Sequence, residues 1–380
     1  MLLNKEKAQQ LMQEAGIDAL VLTYTENNIY FGDFLHVNSA VLKTRPYYTV
    51  FFARQDLQPA YLVPHQDIAD VTRDTWIEDV RPTSEFMIPG RPEVIWEKER
   101  AIATILAERG LSRGRVGFEN VTLYHDIHRR LVEHLPSFEL VPASDLVARV
   151  RAIKSDEELR RIKRAMDITQ TGARAVLDSA RAGVTERELA AAAKEAMLEA
   201  GADAIKFLIV GAGPNGAIVH GAPTDYALRE GDICRFDMGA YYQGYPGDFA
   251  RTFVVGENPR EIDVQRYEAV YQAVQAGITA CRPGVTAGEV YRQQMEAGQR
   301  ILPDLTREHC GHGMGLEVHE EPMIHHGSTF ALEEGMVVMI ENGRYVSGEA
   351  GYQLEDLVLV TSDEPVLLTD VPRSLVRGEA

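Results

Sequence analysis

Two stretches of this chain place carboxylates inside segments that otherwise read as buried strand. That conflict limits the fold more than any other feature of the sequence. The segment DICRFDMGAYYQGYPGDFARTF, from Asp232, reads as two strands joined by a turn around Tyr242–Gln243. Asp237 and Asp248 lie on either side of that turn. Along a single strand their odd spacing would send them to opposite faces, whereas a hairpin can bring them side by side. Downstream, EGMVVMIENGRYV running into GYQLEDLVLV reads as another hairpin, with Glu341 ending one apolar run and Glu355 interrupting another. A carboxylate among such residues is costly to bury alone, and two together are unfavourable unless they share a proton or a cation. A cation is the economical reading. The plainer alternative is that a single buried Asp is structural.

Histidines sharpen the reading. Six of the eleven fall between His220 and His326, and HCGHGMGLEVHEEP, between the hairpins, carries His309, His312 and His319. Glycines on both sides of His312 permit tight turns and leave its ring accessible. Asp237, Asp248, His312, Glu341 and Glu355 together can hold two divalent ions through shared carboxylates. Such a pair supplies hydroxide and stabilises a developing oxyanion.

The wider sequence excludes several classes. Asp and Glu number 57 against 39 Lys and Arg, a formal charge of −18, which repels phosphate backbones and argues against nucleic acid. Cys234, Cys281 and Cys310 are too few and too scattered for a disulfide scaffold. The N-terminus has no apolar leader and no window reaches eighteen apolar residues, so the expectation is a cytoplasmic protein with no membrane partner. At 380 residues, two or three domains are expected.

Strand-like runs at Asp18–Thr23, Tyr47–Phe52 and Ala60–Val63 alternate with helical stretches at 4–15 and Glu93–Glu108, so residues 1–150 read as an α/β domain. His125 and His128 read as a solvated helix face rather than a metal pair. A new unit opens near Ile153 with a capping box from Ser155 to Glu158, and a second runs from Thr185 to Glu188. SARAGVTERELA, from Ser179, is echoed by ACRPGVTAGEVY, from Ala280, where Thr286 and Glu289 form a third box. The offset of 101 residues reads as two halves of one domain with a site between them.

On these motifs the chain resembles the pita-bread metallopeptidases, in the proline-specific branch of prolidase and Xaa-Pro aminopeptidase. RAIKSDEELRRIKRA, from Arg151, is similar to the opening of that catalytic domain, and GIDALVLTYTENNIYFGDF, from Gly16, to the family's N-terminal strand and turn. The resemblance implies an α/β N-terminal domain over 1–150. It implies an α+β pita-bread catalytic domain with an internal pseudo-twofold over 151–380. The implied metal ligands are Asp237, Asp248, His312, Glu341 and Glu355, with Glu341 also handling the proton of the attacking water. His220 and His319 are implied near the scissile amide, as catalytic and substrate-binding residues. The implied cofactor is two divalent ions, manganese first, with cobalt or zinc as alternatives. The implied reaction is hydrolysis of the Xaa-Pro bond of dipeptides or short peptides by a homodimer. Alternatives are an Xaa-Pro aminopeptidase on longer peptides, or a creatinase-like hydrolase of another small amide. A non-enzymatic binding protein would not need all five ligands.

The pattern is broken at several positions. Asn342 stands where the family has proline, and Gln353 where it often has arginine, with Arg344 the nearby candidate for a replacement guanidinium in substrate binding. Glu308 replaces a usual histidine, with His309 one residue on, and Ala250 replaces a hydroxyl residue. None of these removes a metal ligand. Access for longer peptides is expected to depend on N-terminal loops, either around Phe34–Ala40 or from the partner subunit.

Overall fold

Short apolar runs bounded by polar turns become the central strands of a sheet covered on both faces. The computed structural model describes residues 1–35, 47–90, 95–121 and 125–377, which fall into two units, Met1–Arg151 and Ala152–Ala380. Residues 36–40 of the expected access loop lie outside the described residues. In the first unit the strands are β1 (Ala19–Leu22), β2 (Tyr48–Phe52), β3 (Ala60–Pro64), β4 (Asp79–Thr83), β5 (Gly114–Phe118) and β6 (Phe138–Pro142), in the order β4-β3-β2-β1-β5-β6. The sheet is mixed, because β1–β2 and β2–β3 are antiparallel and the other pairs are parallel.

Helices α1 (Lys5–Glu14), α2 (Thr25–Gly32), α3 (Ile68–Asp74), α4 (Lys98–Glu108), α5 (His125–His134) and α6 (Ser144–Ala152) complete it. Val21, Val50 and Leu62 pack with Ile102 and Ile105 of α4, while Tyr61 and Val63 pack with Ile68 and Val71 of α3. This is the alternation of side chains that a strand period of two requires. His125 is exposed and His128 rests on Phe118.

The second unit begins with α7 (Asp156–Ser179) and α8 (Glu186–Glu199), each opened by a complete capping box, at Ser155 with Glu158 and at Thr185 with Glu188. Strands β7 (Ala204–Ala212), β8 (Ile233–Tyr242), β9 (Tyr245–Pro246) and β10 (Phe249–Val254) form one sheet, ordered β10-β8-β7 with β9 on β8. Helices α9 (Glu261–Ala280) and α10 (Ala287–Gln299) follow. The second sheet is β11 (Gly311–Gly313), β12 (Val337–Val346), β13 (Ala350–Leu359) and β14 (Val366–Leu367), in that order.

The sequence echo is structural. Gly183 N donates to Leu228 O and Glu186 N to Tyr226 O, while Gly284 N donates to Leu332 O and Ala287 N to Phe330 O. Each half is thus a helix pair followed by a sheet, and the same loop-to-helix hydrogen bonds recur in both. The third capping box is only half made, because Thr286 accepts from Glu289 N without a reciprocal bond. Among the described residues no helix is long and apolar enough to cross a membrane.

Candidate metal centre

The hairpin β8–β10 turns through Gln243 and Gly244, at φ 47° and 84°, one residue beyond the expected turn. Two left-handed residues between the paired Tyr242 and Tyr245 make the tight turn whose twist suits antiparallel strands. This fixes the register. Asp237 faces Ala250 and Met238 faces Phe249, so the same register carries Asp248 opposite Gly239, diagonal to Asp237 on one face.

In the other sheet Glu341 stands directly opposite Glu355. Like charges in that relation are destabilising without compensation. His312 lies opposite Met339, two residues from Glu341 along β12 and on the same face. Across the seam between the sheets, Gln353 N donates to Thr252 Oγ1 at 2.8 Å, and Thr252 Oγ1 donates to Gln353 O at 2.9 Å. Asp356, next to Glu355 and on the opposite face, is buried and takes bonds from Arg251 and Arg373. Alternation along LED therefore sends one carboxylate to the site and the next to a structural ion pair.

One oxygen each of Asp237, Asp248 and Glu355 lie within 4.8 Å of one another, and Asp248, His312 and His319 form a second such set. His312 Nε2 is 3.4 Å from Asp248 Oδ2, and the rings of His312 and His319 are 4.0 Å apart. Gln353 Nε2 donates to Asp237 Oδ2 at 3.0 Å and to Glu355 Oε1 at 2.6 Å. The other oxygens of these two carboxylates, Asp237 Oδ1 and Glu355 Oε2, are buried without a hydrogen-bond partner.

Burial, and then repulsion from Asp248, pushes Asp237 up to about 8. Burial raises Asp248, and burial followed by its carboxylate neighbours raises Glu355 well above the usual range. Three crowded carboxylates, two of them with a bare buried oxygen, beside an imidazole fit hard divalent cations. The cluster is a dinuclear metal-binding site.

Glu341 has a different environment. Burial raises its pKa, but His309, His312 and Arg307 outweigh burial and hold it down at about 2. His309 Nδ1 is 3.1 Å and Arg307 Nη2 3.5 Å from its two oxygens. His319 is pushed down to about 4, first by burial and then by His312.

The five expected ligands line one cavity of about 660 Å³ together with His220, His319 and Gln353. Arg344 is not brought there. It pairs with Asp304, at 2.5 Å, because its strand position beyond Gly343 points it outward. The guanidinium lining the cavity is Arg307. Sequence reasoning passed over Arg307, and also Arg235, whose position two residues before Asp237 on β8 was a legible sign of a shared face. Phe207, Leu208, Ile209, Val219 and Tyr345 give the cavity apolar walls. Asn342 is buried against Cys310, and Cys310, pushed by burial up to about 12, is a packing residue.

Residues 160–362, more than half of the chain, match the model of metallopeptidase family M24. The chain belongs to this family. Residues 5–153 match the creatinase/prolidase N-terminal domain. An uncharacterized peptidase, YqhT, of Bacillus subtilis is 28% identical over 98% of this chain and 99% of its own length. An Xaa-Pro dipeptidase of Pyrococcus horikoshii is 33% identical over 63% of this chain and 68% of its own. Among solved structures, an Xaa-Pro dipeptidase from Bacillus anthracis superposes with a TM-score of 0.84 at 26% identity, covering 98% of each chain. As an M24 member with this carboxylate–imidazole cluster, the chain is a metal-dependent peptidase of the pita-bread fold.

Proposed function

We propose that the protein hydrolyses the Xaa-Pro bond of dipeptides. The observation that carries this is that the five candidate ligands line one cavity together with apolar walls and the Arg307 guanidinium. Asp237, Asp248, His312, Glu341 and Glu355 are the residues that would hold two cations, with manganese first among the candidates. When bound, such ions polarise a carbonyl and make water a competent nucleophile near neutral pH. Glu341, buried and held ionised by His309, His312 and Arg307, would accept the proton of the attacking water and pass it to the leaving proline nitrogen. His319 lines the cavity with its ring 4.0 Å from that of His312, and a ring N–H there would donate to the carbonyl oxygen as charge develops. His220 lines the same cavity from the segment after Val219 and would position the proline side. Phe207, Ile209 and Val219 offer apolar surface for a pyrrolidine ring.

Arg307 favours a dipeptide over a longer chain. Its Nε is buried without a hydrogen-bond partner, and its guanidinium rests over the ring of Tyr345. A free carboxylate two residues from the amino end would satisfy it, and a continuing peptide bond would not. The relatives' names accord with this reading.

We further propose a homodimer, on family likeness, and a cytoplasmic location, which accords with three free, buried cysteines. Light scattering tests the first.

The decisive assay compares Xaa-Pro dipeptides with Xaa-Pro tripeptides and Xaa-Ala dipeptides, with chelator and with added manganese. Full turnover in chelator-treated protein would sink the mechanism. Faster cleavage of tripeptides would move the protein to the aminopeptidase side.

A further inference from the structure

Arg235 is fully buried, and among the described residues no carboxylate stands within ion-pair distance of it. A guanidinium so placed is costly unless its donors are met. They are met by neutral oxygens. Nε donates to Gly216 O at 2.8 Å, Nη1 to Gln353 Oε1 at 2.7 Å, and Nη2 to Ile218 O at 2.7 Å and to Val219 O. The face of the guanidinium lies over Tyr345, 5.2 Å from the ring centre.

The contact with Gln353 has a chemical consequence. Arginine has donors only, and carboxylates ionised around a cation accept only. An amide between them has one sensible orientation, with its oxygen to Arg235 and its NH2 to Asp237 and Glu355. Turned over, it would set donor against donor on one side and oxygen against carboxylate on the other. The NH2 group therefore occupies Asp237 Oδ2 and Glu355 Oε1. The oxygens left without partners, Asp237 Oδ1 and Glu355 Oε2, are the ones free to bind a cation. The Nη2 bonds also hold the carbonyls of Ile218 and Val219, directly before His220.

We infer that Arg235 is a positioning residue: it locks the Gln353 amide so that Asp237 and Glu355 each present one oxygen to metal, and it anchors the His220 segment to the same point. This rests on the metallopeptidase reading of the site. Residues outside the first coordination sphere that orient ligands commonly contribute about 10- to 100-fold in metal affinity.

The test is calorimetric titration of manganese into metal-free wild-type protein, Arg235→Met, Arg235→Lys, Gln353→Met and the double variant Arg235→Met/Gln353→Met. Thermal melts of each metal-free protein establish that it is folded. Arg235→Met and Gln353→Met are each expected to weaken at least one manganese site about tenfold or more. The double variant should be no weaker than the worse single variant within about threefold, because Arg235 acts on the ligands through Gln353. Arg235→Lys should recover only part of the loss, since one ammonium cannot span Gln353 and the three carbonyls. Kinetics on the loaded enzyme should show an added kcat loss in Arg235→Met that Gln353→Met lacks, from the released His220 segment.

Wild-type affinity in Gln353→Met would overturn the inference, as would losses that multiply in the double variant. If Arg235→Met does not fold, Gln353→Met and Arg235→Lys still decide it, and wild-type affinity in either overturns it. Absence of manganese binding by the wild-type protein would instead overturn the reading of the site itself.

Discussion

Replacing Asp237 by Asn should make the metal-free protein more stable and the metal-loaded protein less stable. The ligand oxygens of Asp237, Asp248 and Glu355 lie within 4.8 Å of one another. At an effective dielectric of ~20, two full charges at that separation repel by about 3.5 kcal/mol. Proton uptake relieves this. Asp237 is pushed from 3.8 up to about 8, so in the folded state it holds a proton that the unfolded chain has lost. A carboxyl raised on folding contributes stability at pH below its unfolded value, and that stability is lost as pH rises through about 8.

Asn does not titrate. Its advantage over Asp should therefore grow by roughly 1.4 kcal/mol per pH unit between the two values. From pH 5.5 to 7.5 the difference is about 3 kcal/mol at most, or roughly 5–10 °C in melting temperature for a unit of this size. The assay is a set of thermal melts of chelator-treated wild-type and Asp237→Asn protein at both pH values, repeated with saturating manganese. With metal the order should reverse, because a ligand has been lost. A variant that is no more stable than wild type at pH 7.5 without metal, or whose advantage does not shrink at pH 5.5, would refute the argument from crowded carboxylates.

Other substitutions probe separate parts of the structure. Glu341→Gln should lower kcat by about 10²- to 10⁴-fold, read by steady-state turnover of an Xaa-Pro dipeptide alongside metal stoichiometry. Arg307→Met should raise KM for Xaa-Pro dipeptides about tenfold while leaving KM for the corresponding Xaa-Pro amide nearly unchanged; equal effects on both would remove Arg307 from carboxylate recognition. Gly247→Ala should destabilise the protein by about 1–3 kcal/mol in thermal melts, because a Cβ there would stand 2.1 Å from Thr169 Oγ1 and 2.9 Å from Ala165 O.

The five ligands could be found in the sequence because each contradicts its surroundings. An Asp in ICRFDMGA or a Glu after MVVMI has no reason to be there unless something pays for its burial. Strand period and turn chemistry then carried the argument as far as Asp237 and Asp248 on one face. Pairing between distant segments lay beyond it. Nothing local says that Gln353 reaches Asp237, since that contact depends on how two sheets meet. The same gap explains Arg344, chosen for its nearness in sequence, where alternation along β12 sends it to Asp304. The half-made capping box at Thr286 shows the opposite limit: the right residues at the right spacing need not close both bonds.

The division of ligands between the halves has a mechanical consequence. Asp237 and Asp248 come from the first half of the catalytic unit, and His312, Glu341 and Glu355 from the second. Neither half holds a complete site. A bound cation therefore acts as a reversible cross-link between segments roughly 60 to 120 residues apart in the chain, closing a long loop much as a disulfide would. Stripping the metal removes that rivet along with the chemistry, and hydrogen exchange should quicken along the β10–β13 seam before it does at either helix pair.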